Sequence, residues 1–268
     1  MPEITAKAVN ELRAKTGQGM MECKKVLVEA GGDIEKAIEI FRKKGVKSSL
    51  QERAASEGRV FGAGGGSAAV LIELNCNTDF TAKSEPFIKL GGDAAQALLK
   101  NPSADVSADA AVAGGLTHVA QTTGENVRVG KTVHMPAPAG GKAGLYLYTV
   151  TGKIGVVMAF TGNPSDEVIK NLGGHIAFAR PLGLVRTEVP AELVAKEREI
   201  AVEQAKATGK PQNIAEKIAE GKLNAFFAER VLLDQEFFNA SVFKGTIANY
   251  LKQSGVSLEK YVRLEVGQ

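Results

Sequence analysis

Ala68-Ala69-Val70-Leu71-Ile72-Glu73-Leu74, then Asn75-Cys76-Asn77-Thr78-Asp79-Phe80-Thr81, then Ser84-Glu85-Pro86, is the stretch that decides how this chain folds. The first part is short and largely apolar, which reads as a strand near the centre of a sheet. Arg59-Val60-Phe61 and Gly64-Gly65-Gly66 upstream supply a partner strand and a turn, completing a β-hairpin. Ser84-Glu85-Pro86 has the order that opens a helix: a cap, an acid, and a proline in the first turn. That helix is expected to run to about Leu99.

The same order of elements returns further along. Leu145-Tyr146-Leu147-Tyr148-Thr149-Val150 and Ile154-Gly155-Val156-Val157-Met158-Ala159-Phe160 make a second hairpin around Thr151-Gly152-Lys153, and a helix follows from about Ser165. Ile88-Lys89-Leu90-Gly91-Gly92-Asp93-Ala94-Ala95-Gln96-Ala97 aligns with Ile169-Lys170-Asn171-Leu172-Gly173-Gly174-His175-Ile176-Ala177-Phe178-Ala179 once one residue is inserted, the glycine pairs standing 82 positions apart. Two related α+β subdomains, each an antiparallel sheet carrying a helix, explain this. Chance similarity between Gly- and Ala-rich segments is the alternative.

Ahead of the first hairpin, residues 4–45 read as three short helices. Thr5 caps the first, Gly17 and Gly19 break the chain, the second runs from Met20 to Ala30 and ends at Gly31-Gly32, and Asp33 caps a third carrying Ile34, Ile38 and Phe41. So small a core suits a docking module better than an enzyme. Beyond the second hairpin, Pro190-Ala191-Glu192 begins a charged helix with Leu193, Val194, Ile200 and Ala201 at heptad-like spacing. Thr208-Gly209-Lys210-Pro211 turns the chain, and Ile214 and Ile218 mark the return helix. The final strand, Tyr261-Val262-Arg263-Leu264-Glu265-Val266, is expected to join the second sheet. The predicted architecture is α+β: a three-helix docking domain (1–45), a connector (46–57), one core subdomain (58–140), a second (141–183 with 222–268), and an inserted antiparallel coiled-coil hairpin (184–221).

Composition narrows the function. The 268 residues are 44% hydrophobic and 24% charged, which supports a sizeable core. No apolar run is long enough to span a bilayer, and Met1-Pro2-Glu3-Ile4-Thr5 has neither a basic stretch nor an apolar h-region, so a cytoplasmic location is the default. The 2 cysteines, Cys23 and Cys76, and the 3 scattered histidines form no metal-binding spacing, so neither a disulfide framework nor a metal is expected. The net charge is +3; residues 1–55 hold 11 basic and 8 acidic side chains, and the remainder is balanced. The densest basic cluster, Arg42-Lys43-Lys44 with Lys47, reads as a solvated helix end rather than a nucleic-acid stripe.

Signatures of catalysis are missing. Gly124-Glu125-Asn126-Val127-Arg128-Val129-Gly130-Lys131-Thr132 resembles a phosphate loop, but five residues separate its glycines where four are required, and Val133-His134-Met135-Pro136 cannot open the helix that should follow. Gly62-Ala63-Gly64-Gly65-Gly66-Ser67 fails the dinucleotide pattern, and no nucleophile elbow occurs. What remains is Asn75-Cys76-Asn77-Thr78-Asp79-Phe80, where a buried strand turns outward. Either Asp79 caps a turn and Phe80 tucks beneath the next helix, or Phe80 is an exposed aromatic anchor for a partner's pocket.

Thr16-Gly17-Gln18-Gly19-Met20-Met21-Glu22-Cys23-Lys24-Lys25, with Gly32-Asp33-Ile34-Glu35-Lys36-Ala37, resembles the N-terminal signature of the bacterial elongation factor Ts family. Asn75-Cys76-Asn77-Thr78-Asp79-Phe80-Thr81-Ala82-Lys83 is similar to that family's Thr-Asp-Phe-Val-Ala-Lys motif, with Thr81 in place of the usual valine. The resemblance extends through the segment around His175, Gly209-Lys210-Pro211 with Ile214-Ala215-Glu216-Lys217, and the closing Val262-Arg263-Leu264-Glu265-Val266-Gly267. It implies a ubiquitin-associated-like N-terminal domain and a guanine nucleotide exchange factor, not an enzyme, acting on elongation factor Tu in its GDP-bound and nucleotide-free forms. No cofactor and no direct contact with nucleic acid or membrane are implied.

By motif match, Leu12, Met20 and Met21 become docking candidates. Thr78, Asp79, Phe80 and Thr81 become the loop that intrudes beside the partner's magnesium site, and His175 a further contact. Self-association through the hairpin occurs in some relatives, and some continue past the position of Gln268 into a further helical module whose contacts would be missing here. Two other classes stay open: an enzyme using the glycine-rich loops for a phosphorylated substrate, and an adapter without exchange activity.

Overall fold

The computed structural model describes residues 4–43, 55–207, 209 and 211–268. Most of the expected connector, the basic residues Lys44 and Lys47, and Thr208 and Lys210 of the expected turn lie outside the described residues. Three helices come first: α1 (Ala6–Thr16), α2 (Met20–Glu29) and α3 (Ile34–Lys43). Thr5 caps α1 by accepting from the Ala8 amide at 3.2 Å, and Gly17 closes it at φ 67°, a left-handed conformation that glycine adopts without steric cost. Asp33 accepts from the Lys36 amide at 3.0 Å at the start of α3. Val9, Leu12, Cys23, Val26, Leu27, Ala37 and Phe41 form the small core between these helices.

The body holds two three-stranded antiparallel sheets. In the first, β1 (Glu57–Gly65), β2 (Ala68–Cys76) and β3 (Arg128–Pro136) lie in the order β1-β2-β3. In the second, β4 (Gly141–Tyr148), β5 (Ile154–Thr161) and β6 (Ser257–Glu265) lie in the order β4-β5-β6, so the last strand does join the second sheet. The connector as predicted ends too late, because Glu57 is already paired with Cys76. Val150, expected in the strand, lies in the turn after β4, 80% exposed.

Side-chain alternation shows why β2 and β5 are apolar on both faces. Val70, Ile72 and Leu74 point toward helices α5 (Glu85–Lys100) and α6 (Ala110–Thr123), while Ala69 and Leu71 point the other way. On β5, Val156, Met158 and Phe160 face α7 (Asp166–Ala179) and α10 (Ile247–Gln253), and Val157 and Ala159 meet Ala69 and Leu71 of the first sheet. The sheets thus pack face to face with helices outside them. Each fully buried aliphatic side chain in such a core contributes about 1.5–3 kcal/mol. α5 buries Phe87, Leu90, Gly91, Ala94, Ala95 and Leu98, the stripe a helix lays on a sheet.

Two helices then leave and return: α8 (Ala191–Ala207) and α9 (Gln212–Arg230). Of the predicted seam of Leu193, Val194, Ile200, Ala201, Ile214 and Ile218, Ala201 is buried and Leu193, Val194 and Ile218 are half-buried, but Ile200 and Ile214 turn outward. Ala201 and Ala205 pack with Ala215, Ala219 and Leu223, leaving Ile200 38% and Ile214 42% exposed. Small side chains let the helices approach closely, and rotating the seam onto alanine turns both isoleucines outward. Arg198 pairs with Glu220 at 2.5 Å across the hairpin. α9 runs unbroken to Arg230, past residue 221 where the hairpin was expected to end. At its base Arg186 binds Asp234 at 2.7 Å and Asn224 at 3.0 Å. No helix among the described residues is long and apolar enough to cross a membrane.

Candidate functional site

Where β2 ends, the chain turns abruptly into α4 (Asp79–Lys83). Thr78 takes extended φ/ψ and caps α4, its hydroxyl accepting from the Thr81 amide at 3.3 Å. Thr81 and Ala82 face inward and are buried, so the helical rotation turns Phe80 outward, 83% exposed. Phe80 therefore does not tuck under the following helix. Asp79 pairs with Lys83 at 2.7 Å, and the lysine's hydrogen bond holds the Asp79 carboxyl below the usual carboxylate range. Beneath the loop, Cys76 is buried, and burial pushes its thiol up to about 12, so it is neutral and unreactive at physiological pH.

The turn is tied to a distant segment. Glu125 accepts from the Asn77 amide at 2.9 Å, the Thr78 amide at 3.0 Å and the Thr78 hydroxyl at 2.5 Å. The Asn126 amide donates to Asn77 Oδ1 at 2.7 Å. The buried Thr81 hydroxyl also reaches the Glu125 carboxylate, which gives this threonine a polar partner where an apolar side chain would have none.

A second exposed apolar surface lies on α2. Cys23, Val26 and Leu27 turn inward, leaving Met20 51%, Met21 76% and Val28 50% exposed. Met21, Lys24, Lys25 and Val28 line a shallow depression there. Among the described residues no group of three or more His, Cys, Asp or Glu side chains is arranged to hold a metal ion.

Residues 77–268 match the family profile described as Elongation factor TS. This chain belongs to the elongation factor Ts family. Elongation factor Ts of Syntrophotalea carbinolica is 41% identical to it over 287 residues, covering 99% of this chain and 94% of that protein. Elongation factor Ts of Pasteurella multocida is 39% identical over 271 residues, covering all of this chain and 93% of the relative. The Vibrio vulnificus protein of the same name is 39% identical over 267 residues, covering 99% and 92%. Family membership gives the chain a role in translation elongation.

As a member of this family the chain carries two of the residues proposed for docking in unexpected places. Leu12, expected to touch a partner, has 0% exposure and sits in the three-helix core. A side chain without surface cannot be a contact; its role is to hold α2 so that Met20 and Met21 face outward. His175 is likewise 3% exposed. Its Nδ1 accepts from the Phe238 amide at 3.3 Å, so Nε2 carries the proton and donates to Gln235 Oε1 at 2.9 Å. Burial lowers the His175 pKa, and the ring is neutral. It fastens the 235–238 segment to α7, and the exposed side chain there is Phe238, at 57%. Glu125 and Phe238 escaped sequence reasoning. In the sequence Glu125 stands only within an incomplete phosphate-loop pattern, and Phe238 belongs to no periodic pattern.

Proposed function

We propose that this protein is a guanine nucleotide exchange factor for elongation factor Tu, engaging the GDP-bound form and leaving it nucleotide-free. Phe80 carries the reading: a large aromatic 83% exposed in the first turn of α4, whose neighbours are buried or hydrogen-bonded. Such a side chain is ready to fill a partner's pocket at little conformational cost. In this reading the segment Thr78, Asp79, Phe80 and Thr81 enters beside the partner's magnesium site, loosening Mg²⁺ and then GDP. Met20 and Met21 anchor the N-terminal helices on the GTPase domain.

The division of labour follows the chain: residues 1–45 dock, 57–140 carry the intruding loop, and 141–183 with 231–268 form the second half of the body. The hairpin of α8 and α9 stands apart, and its exposed Ile200 and Ile214 support self-association between copies. The protein acts by binding, without making covalent bonds, without a cofactor and without touching nucleic acid or membrane, in the cytoplasm.

Magnitudes require both surfaces. A thousandfold faster release takes roughly 4 kcal/mol off the barrier, whereas burying one phenylalanine yields about 1.5–3 kcal/mol. Coupling must also be reciprocal: a factor that weakens GDP binding is itself weakened by GDP to the same extent. The test is release of a fluorescent GDP analogue from elongation factor Tu with and without this chain. Acceleration that saturates with added chain is expected. Unchanged release, or tight binding of the nucleotide to the isolated chain, would contradict the proposal.

A further inference from the structure

The loop bearing Asp79 and Phe80 has an outside anchor. Gly124 closes α6 at φ 72°, and Glu125, the next residue, reaches back to a turn 47 positions earlier in the chain. One carboxylate oxygen, Oε2, takes the successive amides of Asn77 and Thr78; the other, Oε1, takes the Thr78 hydroxyl. Two successive N–H groups aimed at one oxygen fix the relative orientation of the two peptide planes that meet at the Asn77 Cα, the point at which β2 passes toward α4. The Thr78 cap on Thr81 is internal to the loop and cannot set that angle. The Asp79–Lys83 pair lies within α4 itself and cannot set it either.

Burial alone would raise the Glu125 carboxyl. Hydrogen bonds from the Thr78 and Thr81 side chains and the Thr78 and Asn77 amides outweigh it and hold the group below its usual range. The carboxylate is therefore charged at neutral pH, and its hydrogen bonds are of the stronger, charge-assisted kind.

We infer that Glu125 is a positioning residue for nucleotide exchange: it sets the direction in which α4 leaves the sheet and so the direction in which Phe80 points. The inference rests on the reading of this loop as the intruding element. Glu125 needs no contact with the partner to act. Its loss should lower the rate at saturation while leaving the concentration for half-saturation near its original value, because Met20 and Met21 still dock.

The test uses the full chain as wild type, Glu125→Ala and Glu125→Gln, measuring GDP release from elongation factor Tu across a range of factor concentrations. For Glu125→Ala the saturating rate should fall by about tenfold or more, the scale of a lost set of charge-assisted hydrogen bonds. Glu125→Gln should recover most of it, since its oxygen can accept both amides while its nitrogen donates to the Thr78 hydroxyl. Amide hydrogen exchange at Asn77 and Thr78, read by NMR on the isolated chain, should quicken in the alanine variant and not in the glutamine variant. A wild-type saturating rate in Glu125→Ala overturns the inference. A raised half-saturation at unchanged saturating rate also overturns it, making Glu125 a docking contact.

If the alanine variant fails to melt cooperatively, Thr78→Val decides, and an undiminished saturating rate there overturns the inference. A wild-type chain that does not accelerate release sinks the exchange reading itself. Amide exchange then shows separately whether Glu125 holds the loop, and unchanged rates at Asn77 and Thr78 in Glu125→Ala mean that it does not.

Discussion

Gly173 lies directly beneath Tyr146: a Cβ on the glycine would stand 2.3 Å from the tyrosine's own Cβ. Gly91 bears the same relation to Phe61, where an added Cβ would meet ring carbons at 2.3 Å. In both halves of the body a helix presses a glycine onto a large side chain of the first strand of its sheet. The glycine pairs aligned in the sequence thus occupy matching places, which favours two related units over chance similarity.

Their second members behave differently, which gives a paired prediction. Gly92 has open space at its Cβ position. Gly92→Ala should stabilise the protein by about 0.5–1 kcal/mol through helix propensity. Gly173→Ala forces Tyr146 at its root and should cost about 1–3 kcal/mol. Urea unfolding midpoints should move in opposite directions. An undiminished midpoint in Gly173→Ala would show that the Gly173–Tyr146 contact relaxes freely.

His175 predicts a pH dependence. Burial sets its folded pKa below the unfolded value of about 6.5. The unfolded chain then binds the proton more readily, so this contribution is full above about pH 6.5 and is lost as pH falls toward the folded pKa. Replacing His175 with Gln should flatten the difference in unfolding midpoint between about pH 7.5 and 5.5. Equal pH slopes for wild type and His175→Gln would mean that the imidazole is not held neutral.

Leu12 and Met21 should separate stability from docking. Leu12→Ala empties a fully buried site in a very small core and should cost about 2–5 kcal/mol of helical-unit stability. Met21→Ala, at a position 76% exposed, should leave the melting curve unchanged while weakening the complex with elongation factor Tu. Calorimetric titration and helix melting read the two effects. Undiminished affinity for Met21→Ala would remove α2 from the docking surface.

The hairpin should be separable. Replacing residues 191–221 with a short Gly/Ser linker leaves Arg186, Asn224 and Asp234 at its base. The remaining chain should melt cooperatively and retain stimulated GDP release within a few fold. Light scattering should show a smaller mass if Ile200 and Ile214 join copies. Loss of exchange from a cooperatively folded core would place the hairpin on the GTPase.

What the sequence made legible was whatever a strong local pattern carried. β2 and β5 are apolar on both faces because they lie between a sheet and a helix layer, and that continuity is visible in the residues. β3 was missed because it is an edge strand whose only fully buried side chain is Met135. α6 was missed because Gly114-Gly115 breaks its periodicity, although Gly115 is what lets Leu90 approach, at 2.7 Å from a built Cβ. The exposure of Phe80 was open in the sequence and settled only by the burial of Thr81 and Ala82 around it. Glu125 needed the fold, since its partners lie across a helix and a loop. Leu12 and His175 were misplaced because a motif marks which residues matter without telling whether they touch a partner or hold those that do.

Phe80→Ala in stopped-flow GDP release from elongation factor Tu is the most direct measurement. With the ring 83% exposed, the variant should melt like wild type. Losing the wedge should remove roughly 1.5–3 kcal/mol and slow saturated release by about tenfold or more. Release as fast as wild type, from a variant with an unchanged melting curve, would contradict the exchange role assigned to this loop.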